Sequence, residues 1–313
     1  MKAVVLEPLG VSEEKIRSAA DKALCGKADY EFYTTKTTDT DELIARGKDA
    51  DILVLANMPL KEEVLKGCPK VKMISVAFTG VDHIPMKYCR ENNITVSNCA
   101  GYSTTAVSEL VFGLLLDVYR NISACNSVAR KGGTKDGLVG NEIKGKKFGI
   151  VGTGAIGLQT AKIAQAFGCK VYAYSRTVKD IDGITYLSLD ELLSTCDIVS
   201  LHVPLNDSTR GLINADNIKL MKKNAVLINT ARGPVVDSAA LADALNSGAI
   251  AGAGIDVFEN EPPVVEDHPL FKTPRTVVTP HVAFATKEAL ETRADMVFEN
   301  ITAYLDGSPI NVM

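Results

Sequence analysis

No apolar stretch in this 313-residue chain approaches the ~20 residues that a helix needs to span a bilayer; the longest are short runs such as Leu114 to Leu116 with their neighbours. A membrane partner is therefore not expected. The opening MKAVVLEPLG carries too short an apolar run for a secretory signal and reads as a first strand. Excess charge is also missing: 34 Lys and Arg, scattered among 38 Asp and Glu, leave a formal net charge of -4. Such a surface has no general attraction for phosphate backbones, so nucleic acid is not an expected partner. The seven cysteines form no CxxC pair, and no nearby histidine would complete a zinc site. Their odd count and wide spacing point to reduced thiols, a cytoplasmic location and no metal. There is no internal repeat and no low-complexity segment.

What is present is a large core and a regular alternation. With 46% hydrophobic and 23% charged residues, a chain of this length forms two domains. The first hundred residues interleave β-type runs (KAVVLEP, YEFYT, DILVLAN, KMISVAF, ITVSN) with helical patterns such as EEKIRSAADKAL, which predicts an α/β domain with a parallel sheet. A helix follows from about Thr104 to Arg120, apolar on nearly every face and so buried between domains or at a subunit interface. KGGTKDGLVGNEIKGKK, residues 131 to 147, reads as a connecting loop. Six strand candidates come next (FGIVG, KVYAY, DIVSLHV, NAVLINT, GAGIDVF, RTVVT), most separated by helical patterns, which fits a doubly wound dinucleotide-binding sheet. The last helix, from about Lys287 to Asp306, could cap either domain.

Gly152, Gly154 and Gly157 match GxGxxG between a strand, Phe148 to Val151, and a helix face marked by Ile156, Thr160, Ile163 and Phe167. The first glycine permits a tight turn, the second lets backbone approach a pyrophosphate, and the third lets helix and strand pack closely. The pattern alone is weak, and Gly252-Ala253-Gly254 begins it again before failing at Val257. Such a unit usually ends its second strand in an acid that holds the adenosine ribose, yet here Tyr174 is followed by Ser175, Arg176 and Thr177. Ser175 and Arg176 can donate to a 2'-phosphate that a carboxylate would repel, which favours NADP(H). A solvated arginine beside an NAD(H) site is the alternative.

In a doubly wound sheet, ligands lie beyond the carboxyl ends of the strands. Arg232 follows AVLINTA, Glu261 follows GIDVFEN and His281 follows TVVTP, so three strands deliver a guanidinium, a carboxylate and an imidazole to one rim. This trio suits reduction of a 2-oxo acid. Arg232 can hold the substrate carboxylate and polarise its carbonyl, and His281 can give the proton as hydride arrives. A carboxylate such as Glu261 beside the ring favours its protonated form and fixes its orientation. The bland reading makes Arg232 and Glu261 a rim ion pair. Only three other histidines exist: His268, in the polar turn EDHPLF, is expected in solvent; His83, in GVDHIP, is expected to be structural; His202, in SLHVP, lines a cofactor pocket at most.

GTGAIG, HVPL, NTARG, DVFENEP and TPH, in this order and spacing, resemble the D-isomer-specific 2-hydroxyacid dehydrogenases, and the match runs nearly end to end. The resemblance implies a Rossmann-type sheet, residues 99–285, inserted into a flavodoxin-like substrate domain of residues 1–98 plus 286–313. It places the catalytic arginine, glutamate and histidine on Arg232, Glu261 and His281, and a nicotinamide-binding aspartate on Asp256. Thr104, Ala155, Ile156, Pro204, Thr209 and Thr230 fall on cofactor contacts. In SVAFTGVD, Phe78, Thr79 and Gly80 fall on the substrate loop, with backbone N–H groups near Thr79 and Gly80 facing the substrate carboxylate. The helix after Thr104 would belong to a homodimer interface. Two departures stand out. Where many members carry two glycines soon after the histidine, this chain has Val282-Ala283-Phe284, and Phe284 narrows the substrate pocket. The missing acid after Tyr174 is similar to NADP-preferring reductase branches, with NAD(H) still possible.

The loop from Ser75 to Asp82 has no lysine or arginine for a substrate phosphate, and little chain follows the last helix; both count against a phosphoglycerate dehydrogenase. Glu261 counts against the formate-oxidising branch. Glyoxylate or hydroxypyruvate is the expected substrate, ahead of pyruvate, as in D-lactate dehydrogenases, or a branched 2-oxo acid. A non-catalytic nucleotide sensor is the rival from another class.

Overall fold

The computed structural model describes residues 1–261 and 264–313; Pro262, the last residue of DVFENEP, lies outside the described residues. The chain divides into two compact units, residues 1–103 with 285–313, and residues 104–284.

The first unit is built on five parallel strands: β1 (Lys2–Val5), β2 (Asp29–Phe32), β3 (Ile52–Leu55), β4 (Met73–Val76) and β5 (Thr95–Ser97). Their order, β2-β1-β3-β4-β5, is that of flavodoxin-like sheets. ILVL in β3 and MISV in β4 are buried at every residue, as strands covered on both faces must be. The helix Lys287–Leu305 belongs to this unit. Ser75 Oγ donates to Val297 O at 3.1 Å, and Thr302 Oγ1 donates to Ala23 O at 2.9 Å. Residues 99–103, expected in the other domain, also group here, with Cys99 N–H donating to Phe78 O at 2.9 Å.

The second unit carries β6 (Lys147–Val151), β7 (Lys170–Tyr174), β8 (Ile184–Tyr186), β9 (Ile198–Leu201), β10 (Val226–Asn229), β11 (Gly252–Ile255) and β12 (Thr276–Val278), all parallel. The order is β12-β11-β10-β9-β6-β7-β8, so seven strands replace the six expected. The extra one, β8, is a three-residue edge strand with no buried residue, too short and too polar in context to register as a periodic run. Strand order reverses between β6 and β9, and the crevice beyond their carboxyl ends is the place where such sheets bind ligands.

The helix Thr104–Arg120 buries Val111, Phe112, Leu114, Leu115, Val118 and Tyr119 but leaves Thr105, Glu109, Gly113 and Arg120 exposed, so its apolar surround is incomplete in this unit. It packs directly on β11. A Cβ on Gly252 would stand 2.7 Å from Val118 Cγ1, and one on Gly254 2.8 Å from Leu114 Cβ. The second GxG is thus a seat for a helix, and nothing in it turns the chain toward a nucleotide. No helix among the described residues is long and apolar enough to cross a membrane.

Candidate active site

At the end of β6 the three glycines have distinct surroundings. Gly152 has φ +101°, and a Cβ there would meet His202 O at 2.6 Å; a Cβ on Gly157 would lie 2.0 Å from Gly152 O. Gly154 faces open space, with nothing within 4 Å of a Cβ. The outer two glycines therefore serve the turn and its packing, and the middle one leaves room for a ligand. Gly154 caps the helix Ala155–Ala166 without a side-chain bond, so the first-turn N–H groups, beside exposed Ala155 and half-buried Ile156, remain available to an anion. Two hydroxyls just past the ends of β6 and β10, Thr153 Oγ1 and Thr230 Oγ1, are buried without a partner among the described residues. A turn, a helix N-terminus and orphaned donors together fit a dinucleotide pyrophosphate.

Around that turn, Tyr174 O accepts from Gly152 N–H at 2.8 Å, which brings the end of β7 alongside. Ser175 is half-buried, and Arg176 and Thr177 are exposed. Lys179, which the sequence reading passed over, donates from Nζ to Thr153 O at 2.8 Å, adding a second cation to this edge of the crevice. Pro204 and Thr209 form one loop, with Thr209 Oγ1 donating to Pro204 O at 2.6 Å. His202 is held by a 2.9 Å contact of Nε2 with Ser200 Oγ, and burial pushes its imidazole down to about 3, so it is neutral at pH 7. Thr104 is the first residue of its helix and is half-buried.

The trio sits on three strand ends of the same sheet. Asn229, fully buried at the end of β10, accepts Ala231 N–H on Oδ1 at 3.0 Å and donates from Nδ2 to Arg232 O at 3.0 Å. That side chain shapes the turn presenting Arg232, whose Nη1 donates to Ala231 O at 2.7 Å. Gly233 lies next. A Cβ there would fall 2.0 Å from the Phe258 carbonyl carbon and 2.5 Å from Glu259 N, so the Arg232 loop and the Glu261 loop touch backbone to backbone. Glu261 Oε2 accepts from Phe258 N–H at 3.1 Å, and Oε1 stands 2.7 Å from His281 Nδ1. Holding Nδ1 on the carboxylate leaves His281 Nε2 as the nitrogen that can exchange a proton with a ligand.

His281 has φ +53°, a left-handed conformation that a non-glycine residue keeps only when its surroundings impose it. Asp256, at 0% exposure, does so. Its backbone O accepts from His281 N–H at 2.8 Å, Oδ1 accepts from Thr279 Oγ1 at 2.6 Å and Val282 N–H at 2.9 Å, and Oδ2 accepts from Ala283 N–H at 2.9 Å. Burial raises its proton affinity above the ordinary carboxylate range, against the pull of those three donors and of His281. The residue expected to touch the nicotinamide thus also moors the histidine loop. Phe284 packs edge-on against the His281 ring, with centroids 5.5 Å apart and planes at 87°.

In the first unit, Phe78 is buried and its ring lies 6.3 Å from that of Tyr102. Thr79 and Gly80 are half-buried, and Thr79 O accepts from Asn98 Nδ2 at 2.7 Å. His83 is half-buried, with its backbone O bonded to Leu60 N–H at 3.0 Å. His268 overturns its expectation. It is 6% exposed and bonded through Nε2 to Glu259 Oε2 at 2.9 Å, a partner nine residues away that the polar look of EDHPLF conceals. Among the described residues no group of three or more His, Cys, Asp or Glu side chains could hold a metal.

Comparison with known proteins matches residues 112–283 to the family described as D-isomer specific 2-hydroxyacid dehydrogenase, NAD binding domain. The chain is 36% identical to a hydroxypyruvate reductase of Blautia hydrogenotrophica, covering 90% of each sequence. It is 41% identical to a glyoxylate reductase of Thermococcus litoralis, covering 85% of this chain and 83% of the relative. A solved acyclic imino acid reductase, in complex with NADPH and D-Arg, superposes with a TM-score of 0.91 at 32% identity over 100% of both chains.

Proposed function

The chain belongs to the D-isomer specific 2-hydroxyacid dehydrogenases and is an NAD(P)-dependent 2-oxo acid reductase, and on that premise we propose that it reduces glyoxylate or hydroxypyruvate with NADPH through Arg232, Glu261 and His281. The 2.7 Å contact between Glu261 and His281 Nδ1 is the observation that supports this assignment best, because it aims the imidazole and leaves Nε2 as the proton donor. Arg232 binds the substrate carboxylate with its planar fork of donors and draws electron density from the carbonyl. A bound nicotinamide would supply the hydride to the carbonyl carbon. His281 Nε2 then hands its proton to the carbonyl oxygen, and Glu261 stabilises the ring in the orientation needed to recover one. Asp256 keeps the His281 loop in its left-handed turn.

Phe284 against the His281 ring supports a small substrate over pyruvate or a branched 2-oxo acid. Ser175, Arg176, Thr177 and Lys179, with no acid at the end of β7, support NADP(H) over NAD(H). Gly154, Ala155 and Ile156 would hold the pyrophosphate at the turn that Gly152 and Gly157 shape, and Thr104, Pro204, Thr209 and Thr230 would complete the cofactor side. A homodimer formed through the helix Thr104–Arg120 and a cytoplasmic setting belong to the same reading; the seven cysteines are all free thiols. The nucleotide-sensor alternative gives way to the enzyme.

Initial rates with NADPH and with NADH against glyoxylate, hydroxypyruvate, pyruvate and 2-oxoisocaproate test the proposal. The highest kcat/KM is expected for NADPH with glyoxylate or hydroxypyruvate. A preference for NADH would remove the argument from Arg176 and Lys179, and a preference for the branched acid would remove the one from Phe284.

A further inference from the structure

A second imidazole–carboxylate contact lies behind the first. Glu259, two residues before Glu261, bonds through Oε2 to His268 Nε2 at 2.9 Å, and the His268 side chain is 7% exposed. Leu270 N–H points to His268 Nδ1 at 3.4 Å, at the start of the 3-10 helix Pro269–Lys272. With Nδ1 accepting, the ring proton sits on Nε2 and is given to Glu259. Ser238, the first residue of the helix Ser238–Asn246, also bonds the Glu259 carboxylate, and together these partners hold it below the usual carboxylate range against the effect of burial. The Phe258 ring closes the cluster edge-on, with centroids 4.9 Å from His268 and 5.4 Å from Phe271.

This cluster brackets the loop that carries Glu261. On one side the Phe258–Glu259 peptide lies against Gly233, and on the other the chain is caught at His268. Glu261 uses both carboxylate oxygens within this bracket, one on Phe258 N–H and one on His281. Movement of Glu259 would carry Phe258 N–H with it and turn the Glu261 carboxylate off the imidazole.

We infer that Glu259 and His268 are a positioning pair for the reduction, holding the loop so that Glu261 stays on His281; the inference rests on the roles proposed above for Glu261 and His281. The pair acts on the chemical step and not on nucleotide binding.

The test is kcat, KM and NADPH affinity by fluorescence titration for His268→Ala, His268→Gln and Glu259→Gln in the full chain, each with and without Glu261→Gln. His268→Ala is expected to lower kcat ~10-fold with NADPH affinity changed less than ~2-fold, and to add less than ~2-fold once Glu261→Gln is present. His268→Gln, whose amide can still donate to Glu259, should recover most of the loss. Equal losses in both backgrounds, an unchanged kcat, or a fall in NADPH affinity that matches the fall in kcat would each overturn the pair. If the alanine variant does not fold, Glu259→Gln in the two backgrounds decides by the same criteria. Full turnover by Glu261→Gln alone would strike the role of Glu261 itself, and the pair with it, a result distinct from the others.

Discussion

Two histidines of this chain each meet a glutamate, and the two contacts differ in what surrounds them. His281 and Glu261 keep 20% and 14% of their side chains exposed at a strand-end rim, and the histidine sits on a left-handed residue. The His268 side chain is 7% exposed and its partner Glu259 33%, with the imidazole ringed by Phe258 and Phe271 and locked at a helix start. On the roles proposed above, the same chemical pair would exchange protons in the first setting and serve as a fastener in the second. Access to the imidazole and its backbone conformation, more than the pairing, set the two histidines apart.

Replacing the exposed imidazole should separate the two settings most sharply. His281→Gln is expected to cost ~100- to 10,000-fold in kcat with NADPH affinity little altered, read by initial rates and nucleotide titration. Next in size, Asp256→Ala should release the loop that holds His281 and cost ~100-fold in kcat, with a loss of thermal stability that His281→Gln does not share. If both variants melt alike, Asp256 is not the mooring described.

A smaller effect is expected beside the ring. Phe284→Ala should raise kcat/KM for 2-oxoisocaproate relative to glyoxylate by ~10-fold, and an unchanged ratio would mean that Phe284 does not bound the pocket.

A histidine outside both pairs, His202, meets Ser200 Oγ through Nε2 and should act on stability. Its folded imidazole is pushed down to about 3 from an ordinary value near 6.5, so between those pH values the unfolded chain binds a proton that the folded chain refuses. Its contribution is fully present above pH ~6.5 and is lost as pH falls, with a slope of at most about 1.4 kcal/mol per pH unit. His202→Asn should flatten that limb in urea titrations at pH 4 to 7.

The glycine turn was legible because each of its glycines answers a local demand, a positive φ, a ligand's approach or a close packing contact, at fixed spacing. The trio could be proposed from sequence because each member lies in the loop that follows a strand, Arg232 after β10, Glu261 after β11 and His281 after β12. Lys179 and Gly233 escaped notice because their tasks depend on partners from other parts of the sheet, Lys179 on Thr153 and Gly233 against Phe258. His268 was misjudged for the same reason: hydropathy places a polar turn in solvent unless a distant carboxylate is known to wait beneath it. The strand β8 was missed because three residues hold too little alternation to register.

Gly233 has a practical bearing. With the Phe258 peptide only 2.0 Å from where its Cβ would stand, even alanine at this position would pry the two active loops apart. A mutagenesis library meant to retune this enzyme should leave position 233 untouched and place its diversity at Phe284, whose ring stands edge-on to that of His281.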